Sequence, residues 1–202
     1  MEQYEPARDR SREAHGLLEK NDYQGALDSF VSALDLLPEN RHVARARILC
    51  NIGHIQVRLQ QYQEANASFH TAHDLFIKGD DRIAAGEQLG NMGSVYRDTE
   101  NWDAALAQYL DALSIFGKEG HRPGIADQFS NIAYILARQG KLQDAMLNFT
   151  KAQAIFADLG DERKADLCNQ NLLALKPRVT LEPETMLCAS TCCGHRKSPQ
   201  CA

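Results

Sequence analysis

The same spacing of small and aromatic residues recurs about every 40 residues along the chain, and this period limits the possible folds more than any other feature. Each unit has an anchor residue, an alanine three positions later, an aromatic residue seven positions later and a second alanine ten positions later. The anchors are Tyr23, Tyr62, Trp102 and Leu142. A glycine or alanine also stands nine positions before each anchor, at Ala14, Gly53, Gly93 and Ala133. Such a period predicts a repeat architecture, in which each unit buries its apolar face against the next unit.

The two alanines of a unit lie on one face of a helix, because seven residues make about two helical turns. Small side chains at these positions allow a second, antiparallel helix to approach closely, and the aromatic residue fills the space beside them. The sequence therefore predicts an all-α fold built from helix pairs. The predicted helices span residues 7–20, 23–37, 41–59, 62–77, 81–99, 102–117, 121–139, 142–158 and 161–176.

The pattern resembles the tetratricopeptide repeat family over about residues 7–176. The usual unit of that family has about 34 residues, so longer units indicate longer helices. With Leu89-Gly90-Asn91 in the third unit, the chain looks most like a long-repeat subgroup that includes the Leu-Gly-Asn spindle-orientation scaffold and kinesin light chains. The chain departs from the family where the first helix often has a tryptophan, with Arg10, Leu49, Leu89 and Phe129 at these positions.

This resemblance implies a right-handed α-solenoid of four repeats and a C-terminal capping helix in residues 1–176. The expected repeats are about residues 7–40, 46–79, 86–119 and 126–159, followed by the cap at 161–176. The expected helix stops are Gly79, Gly120 and Gly160. Asp80 and Asp161 are expected to cap the helices that follow.

Residues 177–202 form a tail without periodicity, interrupted by Pro177 and Pro183, and are expected to be disordered. Four of the six cysteines lie in this tail, together with His195. Their irregular spacing leaves three interpretations open: a zinc site, lipid attachment at Cys192 or Cys193, and an unstructured segment.

A column of asparagines is the strongest candidate for a functional surface. Asn51, Asn91 and Asn131 lie on the first helices of the pairs and Asn171 on the capping helix, at intervals of 40 residues. An asparagine side chain offers both a donor and an acceptor, so such a column can pair with the main chain of an extended peptide. The resemblance implies this use, because asparagine ladders in the long-repeat families hold the ligand's main chain. The alternative is that each asparagine bonds to the neighbouring repeat and only braces the stacking.

Other polar side chains are predicted to surround this column on the same helices. They are Arg47, Arg58, Arg97, Arg138, His54 and Tyr134. Arginines can pair with ligand carboxylates through two parallel hydrogen bonds, which favours a peptide with some acidic residues. The alternative is that these charges form a solvated face. Gly90 also faces the predicted groove, and we expect it to let a ligand approach the floor closely.

Composition excludes several other functions. The net charge of −5 argues against a general nucleic-acid binder, which needs a basic face. There is no apolar run of about 20 residues and no signal peptide, so the expected location is the cytoplasm. The sequence contains no phosphate-binding glycine loop, His-Glu-x-x-His motif or nucleophile elbow. We therefore expect no catalytic residues, no bound metal and no cofactor.

The predicted function is that of a protein-interaction module or adaptor, which holds an extended peptide of a partner protein in its concave groove. The alternative is a peptide-sensing regulator, whose superhelix changes curvature when a ligand binds. A chain with a charged capping helix is expected to be a monomer.

Overall fold

The structure is a computed structural model that describes the backbone of residues 4–191 and the side chains of residues 4–176. Its described part consists of helices joined by short turns. They are α1 (Glu5–Glu19), α2 (Tyr23–Asp35), α3 (His42–Arg58), α4 (Tyr62–Lys78), α5 (Arg82–Asp98), α6 (Trp102–Lys118), α7 (Arg122–Arg138), α8 (Leu142–Asp158) and α9 (Glu162–Thr191). The predicted all-α solenoid is confirmed.

The helices pack as successive antiparallel pairs. The strongest contacts join α1 with α2, α3 with α4, α5 with α6 and α7 with α8, and α9 packs on α8. Each pair also contacts the next one through α2 with α3, α4 with α5, and α6 with α7. The first helices α5 and α7 meet directly, which places the first helices of the pairs together on one side of the array.

The core of each pair is built from the repeated small and aromatic residues. The alanines three and ten positions after the anchors are fully buried. The aromatic residues between them are at most 3% exposed, namely Phe30, Phe69, Tyr109 and Phe149. A Cβ atom added to Gly53 would lie 2.6 Å from the Phe69 ring, and one added to Gly93 would lie 2.6 Å from the Tyr109 ring. The glycine on the first helix therefore makes room for the aromatic residue of the second helix.

The turns follow the predicted positions with one correction at Gly79. The expected stops Gly120 and Gly160 have positive φ angles of 63° and 74°, but in the equivalent turn Asp80 has φ 56° and Gly79 has φ −88°. Gly79 instead permits close packing, because an added Cβ would lie 2.5 Å from Val43 Cγ2.

The N-terminal cap of α5 also lies one residue later than predicted. Asp81, and not Asp80, caps α5, because its carboxylate accepts a hydrogen bond from the Ala84 N–H at 3.1 Å. Asp161 caps α9 as predicted, accepting from the Lys164 N–H at 3.0 Å. Asp80 is unable to serve as a cap since it occupies the left-handed turn position itself.

The helix bounds agree with the prediction within two residues, except at the end of α9. Its helical backbone continues from Lys176 to Thr191, whereas the sequence predicts an end before Pro177. Residues 192–202 lie outside the described residues, and so do the side chains of Cys188 and the other tail cysteines. The domain boundary at residue 176 and the disordered tail stay predictions.

Candidate functional site

The first helices α3, α5 and α7 enclose an open groove of about 830 Å³, which we call the central groove. Its floor is polar, because successive first helices present amide, imidazole and carboxylate side chains at equivalent positions. The polar lining residues are Arg47, Cys50, Asn51, His54, Asp81, Glu87, Gln88, Asn91, Ser94, His121, Asp127, Gln128 and Asn131.

Three of the four predicted ladder asparagines line the central groove. Asn51, Asn91 and Asn131 come from α3, α5 and α7 and are each half-buried, whereas Asn171 lies further along the array on α9. Asn91 donates a hydrogen bond to Gln88 Oε1 of its own helix at 3.1 Å. Within the described part of the chain, the amides of Asn51 and Asn131 make no hydrogen bond.

These contacts bear on the bracing alternative. None of the ladder amides forms a hydrogen bond with a neighbouring repeat in the described residues, as bracing of the stack would require. The amide groups of Asn51 and Asn131 therefore retain their donors and acceptors for another molecule.

Only two of the other six predicted site residues line the groove, namely Arg47 and His54. Arg97 forms an ion pair with the adjacent Asp98 at 2.8 Å, and the Arg138 guanidinium stacks over the Trp102 ring at 5.4 Å. Arg58 and Tyr134 are exposed outside the cavity. Arg58 and Arg138 are the last residues of their helices, two turns beyond the ladder, so their side chains lie at the turns.

A pair of buried glutamines completes the floor. Gln88 and Gln128 are 3% and 5% exposed and occupy equivalent positions on α5 and α7. Gln88 donates to the Ala84 carbonyl at 3.1 Å, whereas Gln128 Oε1 is buried without a hydrogen-bond partner. In the sequence, the two glutamines are recognisable by their 40-residue interval. The equivalent positions on α3 and α9 are occupied by the buried residues Ile48 and Cys168.

Gly90 lines the groove as expected, but its close neighbour is a residue of the same chain. A Cβ atom added to Gly90 would lie 3.3 Å from Nε2 of Gln128. The glycine therefore makes room for the Gln128 amide. Its predicted close approach to a ligand stays a prediction.

Burial is the main cause of the pKa shifts of Cys50 and His54 in the groove. Burial raises the pKa of the Cys50 thiol to about 12, and the nearby Glu87 carboxylate adds to this effect. Burial lowers the pKa of His54, four residues away on the same helix. At neutral pH the thiol is therefore protonated and the imidazole neutral, which is the reverse of what a nucleophilic thiolate requires.

The surroundings of Glu87 alter the acidity of its carboxyl group. Burial raises its pKa, the positive field of His121 opposes this effect and the negative field of Asp81 adds to it. Asp127, at the equivalent position on α7, accepts a hydrogen bond from Lys164 Nζ at 2.7 Å. In the described residues, no group of three or more His, Cys, Asp or Glu side chains is placed to hold a metal ion.

Comparison with known families identifies the repeats. Models described as tetratricopeptide repeat match residues 86–158 and residues 46–72. The chain therefore contains tetratricopeptide repeats. Its repeats indicate a protein–protein interaction adaptor, and the long-repeat subgroup stays a prediction.

Solved structures share the fold at low sequence identity. Aspartyl phosphate phosphatase F from Bacillus subtilis superposes with a TM-score of 0.78 at 16% identity, over 94% of this chain and 52% of that one. The apo form of RapI superposes with a TM-score of 0.76 at 13% identity, over 86% of this chain and 49% of that one. BtubC from P. vanneervenii superposes with a TM-score of 0.62 at 12% identity, over 100% of this chain and 96% of that one. The chain thus spans about half the length of the first two structures.

A search of curated proteins found no significantly similar sequence. Among residues 4–191, no helix combines the length and the apolar character that a membrane crossing requires.

Proposed function

We propose that the chain is a non-enzymatic adaptor that binds an extended peptide segment of a partner protein in the central groove. The observation that carries this proposal is the row of Asn51, Asn91 and Asn131 along the groove floor, two of which have unused amides. Each amide can donate to a carbonyl and accept from an N–H of a peptide main chain. The helices hold the amides in place, so little affinity is lost in ordering the receptor.

The chemistry of the groove supports binding without catalysis. Cys50, the one thiol that lines the groove among the described residues, has a raised pKa, and these residues offer no metal cluster. One structural neighbour is named as an aspartyl phosphate phosphatase, but that likeness is at 16% identity and concerns the fold. We propose a monomeric adaptor whose ligand is recognised by its main chain first and by side-chain charge second.

The experiment that tests this proposal is a selection of random 16-residue peptides, displayed as a library, on the immobilised full chain. Affinities of the selected peptides are then compared for the wild type and the double variant Asn91→Ala/Asn131→Ala. A hydrogen bond contributes about 0.5–1.5 kcal/mol, so loss of one such bond at each of the two amides, about 1–3 kcal/mol together, should weaken binding about 5-fold to 150-fold. Alanine favours helix more than asparagine does, so the variant should stay folded.

The matched control is Asn148→Ala/Asn169→Ala, which removes two asparagines from helices α8 and α9 outside the central groove. The control should bind the selected peptides as the wild type does. Equal affinity of the folded ladder variant and the wild type would show that the amides do not hold the ligand.

A regulatory sensor is the alternative. Its distinguishing property is compaction of the whole array on binding a selected peptide, which small-angle X-ray scattering measures as a smaller radius of gyration. An adaptor with a preformed groove should keep its radius.

A further inference from the structure

A second cavity, of about 930 Å³, lies beside α1 and the beginning of α3, and we call it the arginine pocket. Arg47 lines both this pocket and the central groove, so the two cavities adjoin each other. The repeat offset of 39 residues places Arg12 of α1 at the position of Asn51, and Arg8 at the position of Arg47. The arginine pocket is therefore the first-repeat end of the same groove, with an arginine in place of the ladder asparagine.

The charge of the pocket is of one sign. Its lining contains Arg8, Arg12, Arg41 and Arg47, and none of its described lining residues is a carboxylate. This is unexpected in a chain with a net charge of −5. The equivalents of Arg47 in the next two repeats are Glu87 and Asp127, so the sign of the charge reverses along the groove.

The arginines are only partly neutralised by their neighbours. Arg12 pairs with Asp9 at 2.9 Å and more loosely with Glu5 at 3.6 Å. The Arg41 guanidinium stacks over the Tyr4 ring at 4.4 Å, a contact that keeps its charge. Arg8 and Arg47 are exposed and form no ion pair within the part of the chain that the structure describes.

The backbone beside these arginines also favours an anion. Helix α3 begins at His42 without a side-chain cap, whereas Asp81, His121 and Asp161 cap the first helices that follow. The first turn of α3, His42 to Ala44, lines the pocket, and Nδ1 of His42 is buried there without a partner. Free N–H groups at a helix N-terminus and the helix dipole both stabilise negative charge.

We propose that the arginine pocket binds an acidic segment of the same peptide that lies along the central groove, and thereby fixes the direction of that peptide. This inference rests on the proposed function. Carboxylates of the peptide pair with Arg8 and Arg47, while its neutral or basic part lies over α5 and α7, where Glu87 faces the groove. A peptide lying in the reverse direction would place its carboxylates beside Glu87, which costs free energy by like-charge repulsion.

The test uses acetylated and amidated triglutamate as the probe, added at low ionic strength to the ¹⁵N-labelled full chain. Backbone amide shifts should be confined to residues 4–12 and 41–48 and should saturate. The variant Arg8→Glu/Arg47→Glu changes two exposed side chains and should raise the apparent Kd about tenfold or more, since each attraction becomes a repulsion. The control Lys118→Glu/Arg163→Glu makes the same change in net charge outside both cavities and should leave the Kd close to that of the wild type.

Trilysine and inorganic phosphate complete the experiment. Trilysine should not shift these amides, and equal shifts by trilysine would overturn the proposal. Shifts produced by phosphate but not by triglutamate would also overturn it, as would an unchanged triglutamate Kd in Arg8→Glu/Arg47→Glu.

The outcomes separate this inference from the proposed function. Selected peptides that depend on Asn91 and Asn131, combined with no response to triglutamate, would contradict the arginine pocket alone. A specific triglutamate response, combined with selected peptides that ignore the ladder variant, would support the pocket and contradict the proposed use of the amides.

Discussion

At the scale of single residues, the absence of a side chain determines how closely the helices of a pair approach. The backbone of Gly53 lies directly against the Phe69 ring, and that of Gly93 against the Tyr109 ring. Gly16 of α1 has no such role, because a Cβ atom added there would meet nothing within 4 Å. The two kinds of helical glycine should therefore respond to substitution in opposite directions.

We predict that Gly53→Ala lowers the free energy of unfolding by about 1–3 kcal/mol, because the added methyl group overpacks the core beside Phe69. Gly16→Ala, the matched control, should raise it by about 0.5–1 kcal/mol, because alanine favours the helix and finds open space. Urea denaturation followed by circular dichroism measures both values. A Gly53→Ala protein as stable as Gly16→Ala would contradict the packing described for this pair.

The sequence predicted the packing residues better than the groove residues. The 40-residue period identified Asn51, Asn91 and Asn131, because equivalent positions lie on equivalent faces. It could not distinguish residues facing the cavity from those at the helix ends, where Arg58 and Arg138 lie. Arg8 and Arg12 were missed, because the first repeat has the shorter offset and an arginine replaces the ladder asparagine.

At the scale of elements, every turn between the described helices except the one between α2 and α3 places one residue in the left-handed region. Glycine occupies this position at residues 120, 140 and 160, whereas Asn21, Gln60, Asp80 and Glu100 occupy it elsewhere with φ angles of 56–60°. A non-glycine residue in this conformation is strained by contact between its Cβ and the backbone. Sequence predicted the place of the turns from the anchors, but composition alone could not show that Asp80 and not Gly79 takes this conformation.

The turns between α5 and α6 and between α7 and α8 allow a reciprocal test. Glu100→Gly should raise the free energy of unfolding by about 0.5–1 kcal/mol, because it relieves strain at φ 58°. Gly140→Glu should lower it by about 1 kcal/mol, since nothing within 4 Å of its Cβ position adds a packing effect. Thermal unfolding of the two variants should shift in opposite directions, and a shift in the same direction would refute the assignment of strain to this position.

At the scale of the whole molecule, the central groove exists only because the helix pairs nest in series. A single pair presents one ladder asparagine, and only α3, α5 and α7 together present three in one cavity. The same nesting joins the arginine pocket to the amide floor through Arg47. The period in the sequence predicted the nesting, but the shape of the cavity depends on how α5 meets α7 and was not predictable from spacing.

Contact between the ladder amides and the ligand can be observed through the side-chain amide resonances of the ¹⁵N-labelled full chain. On titration with a peptide selected from the displayed library, the Nδ2 resonances of Asn51, Asn91 and Asn131 should shift together and saturate at one Kd. The Asn148 resonance, on α8 outside the groove, should not move. Saturated binding that leaves all three ladder resonances unchanged would show that the ladder amides do not contact the ligand.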